Sequence, residues 1–412
     1  MKILAVETSC DDTGIAILKV KSRKFKVLSN VVSSQIEVHK KYGGVFPMMA
    51  KREHQKNLTP VLTKALQQAK LINTTQKGKL LIIDGRRLLE IKRILAKESE
   101  LFEKVKEFLE THKRPDVDVI AVTYGPGLEP CLWVGINFAK ALSYIWDIPL
   151  IPVNHIEAHI LVNFLNPKPY TLNVKLFPAI SLVVSGGHTQ LILVKGVGKY
   201  KIIGETRDDA AGECFDKCAK LFGLGYPGGP AIARIAGQWK LQNPNYKLQK
   251  NPKLAILNSE LKIFLPRPMI NTKDYDFSFS GLKTAVLYAV KAAQNSSIDS
   301  SMVLSEDFVK QMCFEVQQTI IDVLIKKTIK AAKNYKAKTI ILGGGVSANQ
   351  ELRKQLAKKI LKEIPNTQHL IPNTQLSTDN ALMIAVAGYF HKNKKTKNWE
   401  KIQAKANLRI SR

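Results

Sequence analysis

Cysteine is scarce in this sequence, and no apolar run is long enough to cross a membrane. The five cysteines are scattered over 412 residues, which excludes a disulfide framework and favours a reducing compartment. No segment approaches the roughly 20 apolar residues of a transmembrane helix. The first residues, MKILAVETSCDDTG, turn polar too early for a signal peptide. We therefore expect a soluble, cytoplasmic protein without a membrane partner.

Acidic residues are also few. Lys and Arg total 63 against 34 Asp and Glu, which gives a formal net charge of +29. A charge of this size favours a polyanionic partner such as nucleic acid, although a generally basic proteome would produce it too. The hydrophobic content of 45% is that of an ordinary globular protein, and the length predicts two domains or lobes.

Two similar strand pairs are the main sign of internal organisation. KILAVE and GIAILKV are predicted to pair around the turn TSCDDT, and FPAISLVVSGGHTQLILVK repeats this pattern around Gly186 and Gly187. Each pair is followed by strand, glycine loop and helix, as in VIAVTYGPG and TIILGGGVSAN. The repeat predicts a duplicated α/β fold with a cleft between two lobes.

Three segments interrupt the repeat. Residues 74–114 contain LLEIKRILAKESELFEKVKEFLETH, whose apolar spacing predicts an inserted helical hairpin or one long helix. Residues 238–262 are polar, basic and proline-containing, which predicts a surface excursion. The basic tail HKNKKTKNWEKIQAKANLRISR is either an RNA-contacting segment or a solvated, mobile end.

VNHIEAHILVNFL carries two histidines on one face of a predicted helix. His155 and His159 are four residues apart, so both imidazoles point the same way and can bind one metal ion. A zinc peptidase of the H-E-x-x-H type has its glutamate directly after the first histidine. Here the acid is Glu157, one place later, and we expect it to point away from the rings. The pair therefore resembles metal ligands without a peptidase base.

A third ligand is needed, and Asp379 is the best candidate. It lies in STDNALMIAVAGYF, at the start of a predicted helix, and its alternative role is that of the N-cap. Ser377 and Thr378 are the other candidates for that cap. Two histidines and a carboxylate with open positions are typical of iron(II) and catalytic zinc sites. Cys214 and Cys218 are interpreted instead as small core residues of the helix AGECFDKCAKLFG.

Several loops have the composition of phosphate-binding turns. ETSCDDTG places Glu7, Asp11 and Asp12 beside small hydroxyls and a thiol, and such a turn can hold a phosphate and its metal ion or be a plain Asx turn. The glycine loops GPG, SGGHT, GYPGGP and GGGVSAN follow predicted strands or begin helices, where backbone can approach an anion. Together they predict a nucleotide cleft, with His188 facing it.

The motifs together resemble one family. ETSCDDTGIAI, KYGGVFP, REH, NHIEAH, VSGGHTQL, DDAAGECFDKCAKLFGLGYPGGP, FSFSGLKTA, GGGVSAN and STDNA are similar to the tRNA N6-adenosine threonylcarbamoyltransferases. The resemblance covers nearly all of the chain outside 74–114, 238–262 and the tail. It implies a two-lobe fold of the actin, hexokinase and Hsp70 type with an interlobe nucleotide cleft. The implied ribonuclease-H-like lobes are 1–175 and 176–376, and 377–412 is a helix that returns to the first lobe with the basic tail.

The resemblance also implies an activity. The family transfers a threonylcarbamoyl group from threonylcarbamoyl-AMP to N6 of adenosine 37 in tRNAs that read codons beginning with A. One divalent metal per subunit is implied, iron(II) or zinc. The implied partners are tRNA, a small paralogous TsaB-like subunit and a TsaE-like ATPase.

Site residues carry over position by position. The match assigns three residues to the metal: His155, His159 and Asp379. It assigns five to a substrate loop: Val184, Ser185, Gly186, Gly187 and His188. It assigns three to further substrate contacts: Asp216, Gly229 and Asn349. Asp11 and Asp12 fall in the acidic first loop and are the candidate catalytic carboxylates.

The chain departs from the family pattern at two places. Met48 and Lys51 replace a glutamate and a serine, and Glu129-Pro130-Cys131 replaces a more usual glycine-containing stretch. Partner docking or local packing is therefore open at these positions. Three other functions remain alternatives: an ATP-dependent small-molecule kinase of the same fold, a metallopeptidase, and an RNA-binding scaffold without activity.

Overall fold

The computed structural model describes residues 1–73, 83–165, 176–244, 265–295 and 304–410. The chain divides into two compact units. The first comprises Met1–Asn173 and Thr378–Ile410, and the second comprises Val174–Ser377. Each contains one five-stranded sheet. Within the described ranges, no helix has both the length and the apolar character needed to span a bilayer.

Ten strands and twelve α-helices are found in the described ranges. The strands are β1 (Lys2–Glu7), β2 (Asp12–Lys21), β3 (Lys24–Ser34), β4 (Val119–Gly125), β5 (Leu150–Asn154), β6 (Ala179–Val184), β7 (Thr189–Gly196), β8 (Lys199–Glu205), β9 (Thr339–Gly343) and β10 (Gln368–Leu370). The helices are α1 (Ile36–Lys40), α2 (Pro47–Gln68), α3 (Gly85–Ile94), α4 (Ser99–Thr111), α5 (Glu129–Trp146), α6 (His155–Leu161), α7 (Ala211–Leu221), α8 (Gly228–Gln242), α9 (Ser280–Asn295), α10 (Glu306–Asn334), α11 (Gln350–Glu363) and α12 (Ala381–Phe390).

The two sheets have the same topology. The first has the order β3-β2-β1-β4-β5, and the second, read from its other edge, has the order β8-β7-β6-β9-β10. In each sheet the first three strands are antiparallel and the fourth runs parallel to the first. The predicted duplicated α/β fold, with a strand pair opening each half, is confirmed. The turns 8–11 and 185–188 therefore occupy equivalent places in the two units.

The C-terminal helix α12 packs against the sheet of the first unit. Its sequence ALMIAVAG is buried all round, as expected for a helix inside a core. Two glycines allow the close approach. A Cβ at Gly14 would lie 2.9 Å from the Ala381 nitrogen, and a Cβ at Gly388 would lie 2.8 Å from Ala121 Cβ. This packing fixes the start of α12, where Asp379 lies.

The interrupting segments differ from the sequence-based expectations in part. The insertion forms two helices, α3 and α4, as the hairpin prediction required, while 74–82 lie outside the described residues. Residues 238–242 lie at the surface as predicted, but they are helical and extend α8, because Ile235, Ala236 and Trp239 continue an apolar face. Residues 245–262 lie outside the described residues.

The basic tail is packed, so the mobile alternative is wrong for its described part. Ile402 and Ile410 are buried, and the Lys405 N–H donates to the Tyr124 carbonyl. Thr396 forms a bridge with Leu150 at the end of the first sheet. Apolar residues at intervals in an otherwise basic segment anchor it to the first unit.

Both departures from the family pattern are accommodated locally. Met48 is exposed in the first turn of α2, and the Lys51 ammonium lies 3.8 Å from the Glu98 carboxylate. Cys131 is buried in the first turn of α5, and its carbonyl accepts a hydrogen bond from Thr8 Oγ1 at 2.9 Å.

Candidate functional site

The three predicted metal ligands lie together in the first unit. His155 and His159 are on α6 with ring centroids 4.7 Å apart. Asp379 Oδ1 lies 3.5 Å from His155 Nε2 and 3.2 Å from His159 Nε2. One ligand atom from each residue falls within 4.8 Å of the others. Residues separated by more than 200 positions in the chain therefore meet at one point.

Asp379 does not cap the helix that follows it. The N-cap of α12 is Asn380, whose Oδ1 accepts a hydrogen bond from the Met383 N–H at 3.2 Å. The expectation that Ser377, Thr378 or Asp379 caps this helix is wrong, because the amide one residue later satisfies the free N–H groups. The Asp379 carboxylate faces the two imidazoles instead.

Glu157 has a partner away from the histidine pair. His391 Nε2, just beyond α12, donates a hydrogen bond to Glu157 Oε2 at 2.7 Å, and both side chains are buried. This bond joins α6 to the end of α12. A carboxylate held in this way is not positioned as the water-activating base of a peptidase.

Glu7, which the sequence grouped with the acidic turn, supports His155 in this centre. His155 Nδ1 donates to Glu7 Oε2 at 3.2 Å and lies 3.1 Å from Ser9 Oγ. Thr123 Oγ1 and the Ser9 N–H donate to the two oxygens of the fully buried Glu7 carboxylate. When the imidazole of His155 is neutral, the bond to Glu7 keeps its proton on Nδ1 and leaves the Nε2 lone pair directed at Asp379, as in carboxylate-histidine-metal arrangements. The signal in the sequence was an acidic residue at the end of an apolar, buried strand, where a carboxylate needs a partner.

Buried charges set the protonation of the centre. Burial acts to lower the pKa of His155, but the carboxylates of Asp379 and Glu7 outweigh it and raise this pKa to about 9. Burial also lowers the pKa of His159, and there it dominates. Burial acts to raise the pKa of Glu7, yet the His155 charge and hydrogen bond hold it below its ordinary value. The carboxylates thus attract one positive charge, which a proton on His155 provides.

Asp11 and Asp12 add negative charge to the same neighbourhood. Burial, followed by the charges of Asp11 and Asp379, raises the pKa of Asp12 to about 7. Burial and then the Asp379 charge raise the pKa of Asp11 as well. Asp12 Oδ1 is buried without a hydrogen-bond partner. A carboxyl group that titrates near neutrality is suited to accept and release a proton.

His54, from the REH motif, supports the acidic turn from α2. Its Nε2 donates to the Cys10 carbonyl at 3.0 Å, and its Nδ1 accepts from Thr13 Oγ1 at 2.8 Å. Burial lowers the pKa of His54 to about 4, so it acts as a neutral hydrogen-bonding group. The sequence alone gave no role to this histidine.

The side chains present fit a divalent metal ion. His159 Nδ1 is buried without a hydrogen-bond partner, and His159 Nε2 faces the Asp379 carboxylate at 3.2 Å. An unpaired buried imidazole nitrogen is costly unless it binds something. Once a metal ion has displaced the proton from His155, the two imidazole nitrogens and one carboxylate are a donor set that iron(II) and zinc accept.

In the second unit, the turn 185–188 is open. The Ser185 N–H donates to the His188 carbonyl at 2.7 Å, and the His188 N–H donates to Ser185 Oγ at 3.1 Å. Gly186 and Gly187 are exposed, and a Cβ on either would meet nothing within 4 Å. Val184, the first residue of the predicted substrate loop, is buried at the end of β6.

Glycines bring neighbouring loops close to this turn. A Cβ at Gly212 would lie 2.6 Å from the Ser185 carbonyl oxygen, so α7 begins directly against the turn. Gly344, with φ of +85°, would place a Cβ 2.4 Å from the Val184 carbonyl oxygen. The sequence SGGHT, the start of α7 and the loop after β9 thus form one cluster within the second unit.

The other predicted substrate contacts have structural partners. Asp216 Oδ1 accepts a hydrogen bond from the Gly228 N–H at 2.7 Å, which places Asp216 beside Gly229. Asn349 caps α11, because its Oδ1 accepts from the Leu352 N–H at 3.0 Å. Both side chains therefore shape the loops that begin α8 and α11. Cys214 and Cys218 lie in the hydrophobic core, as expected.

Comparison with known proteins identifies the family. The TsaD family, described as tRNA N6-adenosine threonylcarbamoyltransferase, matches residues 26–75 and 99–386. The protein of that name from Thermosipho africanus is 41% identical over 413 residues, covering 100% of both chains. Its namesake from Geobacillus kaustophilus is 40% identical over 386 residues, covering 94% of this chain and 90% of the relative.

Among solved structures, the crystal structure of full-length HypF in its phosphate- and nucleotide-bound form gives a TM-score of 0.48. It is 12% identical in sequence, and the match covers 95% of this chain and 46% of HypF. A likeness at this level does not bear on activity. The sequence matches do, and on their identity and coverage the chain belongs to the tRNA N6-adenosine threonylcarbamoyltransferase family.

Proposed function

We propose that this transferase uses threonylcarbamoyl-AMP as its donor and N6 of adenosine 37 as its acceptor, in cytoplasmic tRNAs that read codons beginning with A. Family membership over nearly the whole chain supports the reaction class. The observation that carries the proposal is the meeting of His155, His159 and Asp379, where His159 Nε2 lies 3.2 Å from the Asp379 carboxylate and both histidines are buried.

His155, His159 and Asp379 would hold one divalent ion, iron(II) or zinc. When bound, this ion would supply positive charge that stabilises the phosphate oxygens of the donor. Glu7 keeps the His155 proton on Nδ1, so that Nε2 is free to bind. Glu157 is engaged by His391 and activates no water, and a transfer to an amine needs none.

Asp12 is assigned the role of the base that accepts a proton from the N6 amine. The N6 amine attacks the carbamoyl carbon, a carbon–nitrogen bond forms, and the bond from that carbon to the phosphate oxygen breaks as AMP leaves. The amine must lose a proton in this exchange. A carboxyl group with a pKa of about 7 is ionised often enough to accept it and basic enough to hold it.

The open turn 185–188 is assigned to substrate binding through its backbone. Gly186 and Gly187 leave space that a side chain would fill, and Gly212 and Gly344 hold the turn in place. Positioning by preorganised backbone is an effective means of promoting group transfer. A small TsaB-like subunit and a TsaE-like ATPase are proposed as helpers.

The test is reconstitution with threonine, bicarbonate, ATP, an adenylate-forming enzyme, both helpers and unmodified tRNA. Mass spectrometry of the digested tRNA should detect threonylcarbamoyladenosine with the wild-type chain. A transcript with guanosine at position 37 should give none, and D12N should reduce the rate while leaving tRNA binding intact. Absence of the product, while a Geobacillus kaustophilus relative produces it in parallel, would overturn the proposal.

A further inference from the structure

A lysine-lined groove lies in the second unit between α7 and α9. Its volume is about 520 Å³. The lining comes from one face of each helix: Lys217, Lys220 and Leu221 from α7, and Lys283, Leu287, Val290, Lys291 and Gln294 from α9. The groove has an apolar floor and four ammonium groups, and none of its residues belongs to the site described above.

Most of this positive charge is not neutralised. Lys217 pairs with Asp209 at 2.7 Å and with Glu213 at 2.9 Å. Lys220, Lys283 and Lys291 have no carboxylate within ion-pair distance among the residues that the structure describes. Three cations side by side repel one another, and an anionic partner would relieve this repulsion.

The groove walls are joined at one end. Asp208, in the loop before α7, accepts hydrogen bonds from the hydroxyls of Ser278 and Ser280 at 2.6 and 2.7 Å. It also accepts from the Phe279 N–H at 2.8 Å, directly before α9. Buried Cys214 on α7 donates from its thiol to the Phe279 carbonyl at 3.6 Å. The groove is therefore formed before any ligand arrives.

The groove suits a chain of phosphates better than a single one. Lys283 and Lys291 are two turns apart on α9, about 12 Å along the axis at the usual helical rise. Tyr288 is 66% exposed and lies one turn from Lys291 on the helix surface. An exposed aromatic ring beside lysines can stack on a nucleic acid base.

We propose that Lys220, Lys283 and Lys291 bind the phosphate backbone of the tRNA substrate along this groove. The inference rests on the proposed function for the identity of the partner. It adds a surface for tRNA contact in the second unit. The net charge of +29 supports a polyanionic partner of this kind.

The test compares two triple variants of the full chain. K220Q/K283Q/K291Q removes the unpaired charges of the groove. K354Q/K358Q/K362Q removes three lysines from α11 in the same unit, so the change in net charge is identical. Binding to unmodified tRNA is measured over a range of salt concentrations, and the unfolding midpoint of each variant confirms that it is folded.

The groove variant should bind tRNA at least about tenfold more weakly, and its salt slope should fall by about three, or about one for each phosphate that is no longer bound. The α11 variant should keep the wild-type slope. Equal slopes in the two variants, or a wild-type chain whose tRNA binding does not depend on salt, would overturn the proposal. Weaker binding to a TsaB-like subunit with unchanged tRNA binding would also overturn it and indicate an acidic protein surface instead.

The two proposals fail separately. Wild-type protein that binds tRNA through the groove but forms no threonylcarbamoyladenosine would refute the reaction and leave the groove intact. Protein that forms the product while both triple variants bind tRNA equally would refute the groove alone.

Discussion

The two units use the same turn in opposite ways. The turn 8–11 after β1 and the turn 185–188 after β6 occupy equivalent places in sheets of the same order. The first is surrounded by buried acids and histidines, whereas the second exposes Gly186 and Gly187. One topology thus supports a charged centre in one unit and an open backbone surface in the other.

The means of holding each turn also differs. Side chains hold the first: Glu7 binds the Ser9 N–H, and His54 binds the Cys10 carbonyl. At the second turn the side-chain contact is uncharged, because the His188 N–H donates to the Ser185 hydroxyl. Glycines press against both turns, Gly127 against Ser9 at the first and Gly212 and Gly344 at the second. The first turn should therefore respond to changes in charge and pH, whereas the second should respond mainly to added side-chain volume.

The largest expected effect is the loss of a ligand from the charged centre. H159A should weaken iron(II) or zinc binding by more than about a hundredfold. Loss of a residue that only hydrogen-bonds to a ligand typically weakens metal affinity by roughly 10–100-fold. Titration of the metal-free full chain measures it. H112A removes a half-buried histidine at the end of α4 in the same unit and should leave the affinity unchanged. Equal loss in both variants would contradict the assignment.

The next effect is a pH dependence that comes from His54. Its pKa of about 4 in the folded chain lies below the unfolded value of about 6.5, so the unfolded state binds the proton more tightly. Stability from this residue is fully present above about pH 6.5 and should decrease by about 3 kcal/mol as the pH falls to about 4. Asp12, with a pKa raised to about 7, titrates in the same range with the opposite sign. The difference between the denaturant-unfolding profiles of the wild type and of H54Q therefore measures the loss. H54Q, which cannot titrate, should flatten that part of the profile, and an unchanged profile would refute the claim.

The glycine turn is tested by adding a Cβ. G344A places the new atom 2.4 Å from a backbone oxygen at a φ of +85°, and it should cost about 2 kcal/mol of unfolding free energy. G187A meets nothing within 4 Å and should change stability by less than about 0.5 kcal/mol. Similar costs for the two variants would show that the turn is not held by close backbone packing.

The smallest expected effect is on metal affinity, and it distinguishes Glu7 from Glu157, two buried carboxylates that each accept a hydrogen bond from a histidine. E7Q should weaken metal binding about tenfold, which is a small effect for a residue that hydrogen-bonds to a metal ligand. The effect is small because glutamine still accepts the His155 hydrogen bond. E157Q changes the partner of His391 and should have no effect on metal affinity. Isothermal titration of both variants measures the difference, and an equal decrease would indicate general damage to α6.

Local pattern was sufficient for much of the fold and for the shared face of the two histidines on α6. Short apolar segments separated by polar or glycine turns predicted both strand pairs. The four-residue spacing of His155 and His159 predicted that they share one face of a helix. The sequence grouped Glu7 with the acidic turn but did not predict its hydrogen bond to His155, and it gave no role to His54. Each contact joins elements that are distant in the chain. The cap at Asn380 was missed because four adjacent polar residues are equivalent until the packing of α12 selects one.

The proposed chemistry depends most on the binding of one divalent ion where α6 meets the start of α12. Anomalous diffraction from crystals of the full chain grown with iron(II) or zinc, collected on both sides of the metal edge, tests this directly. We expect a single strong peak at bonding distance from His155 Nε2, His159 Nε2 and an Asp379 oxygen. A metal peak bound by other residues, with these three side chains turned away from it, would contradict the assignment.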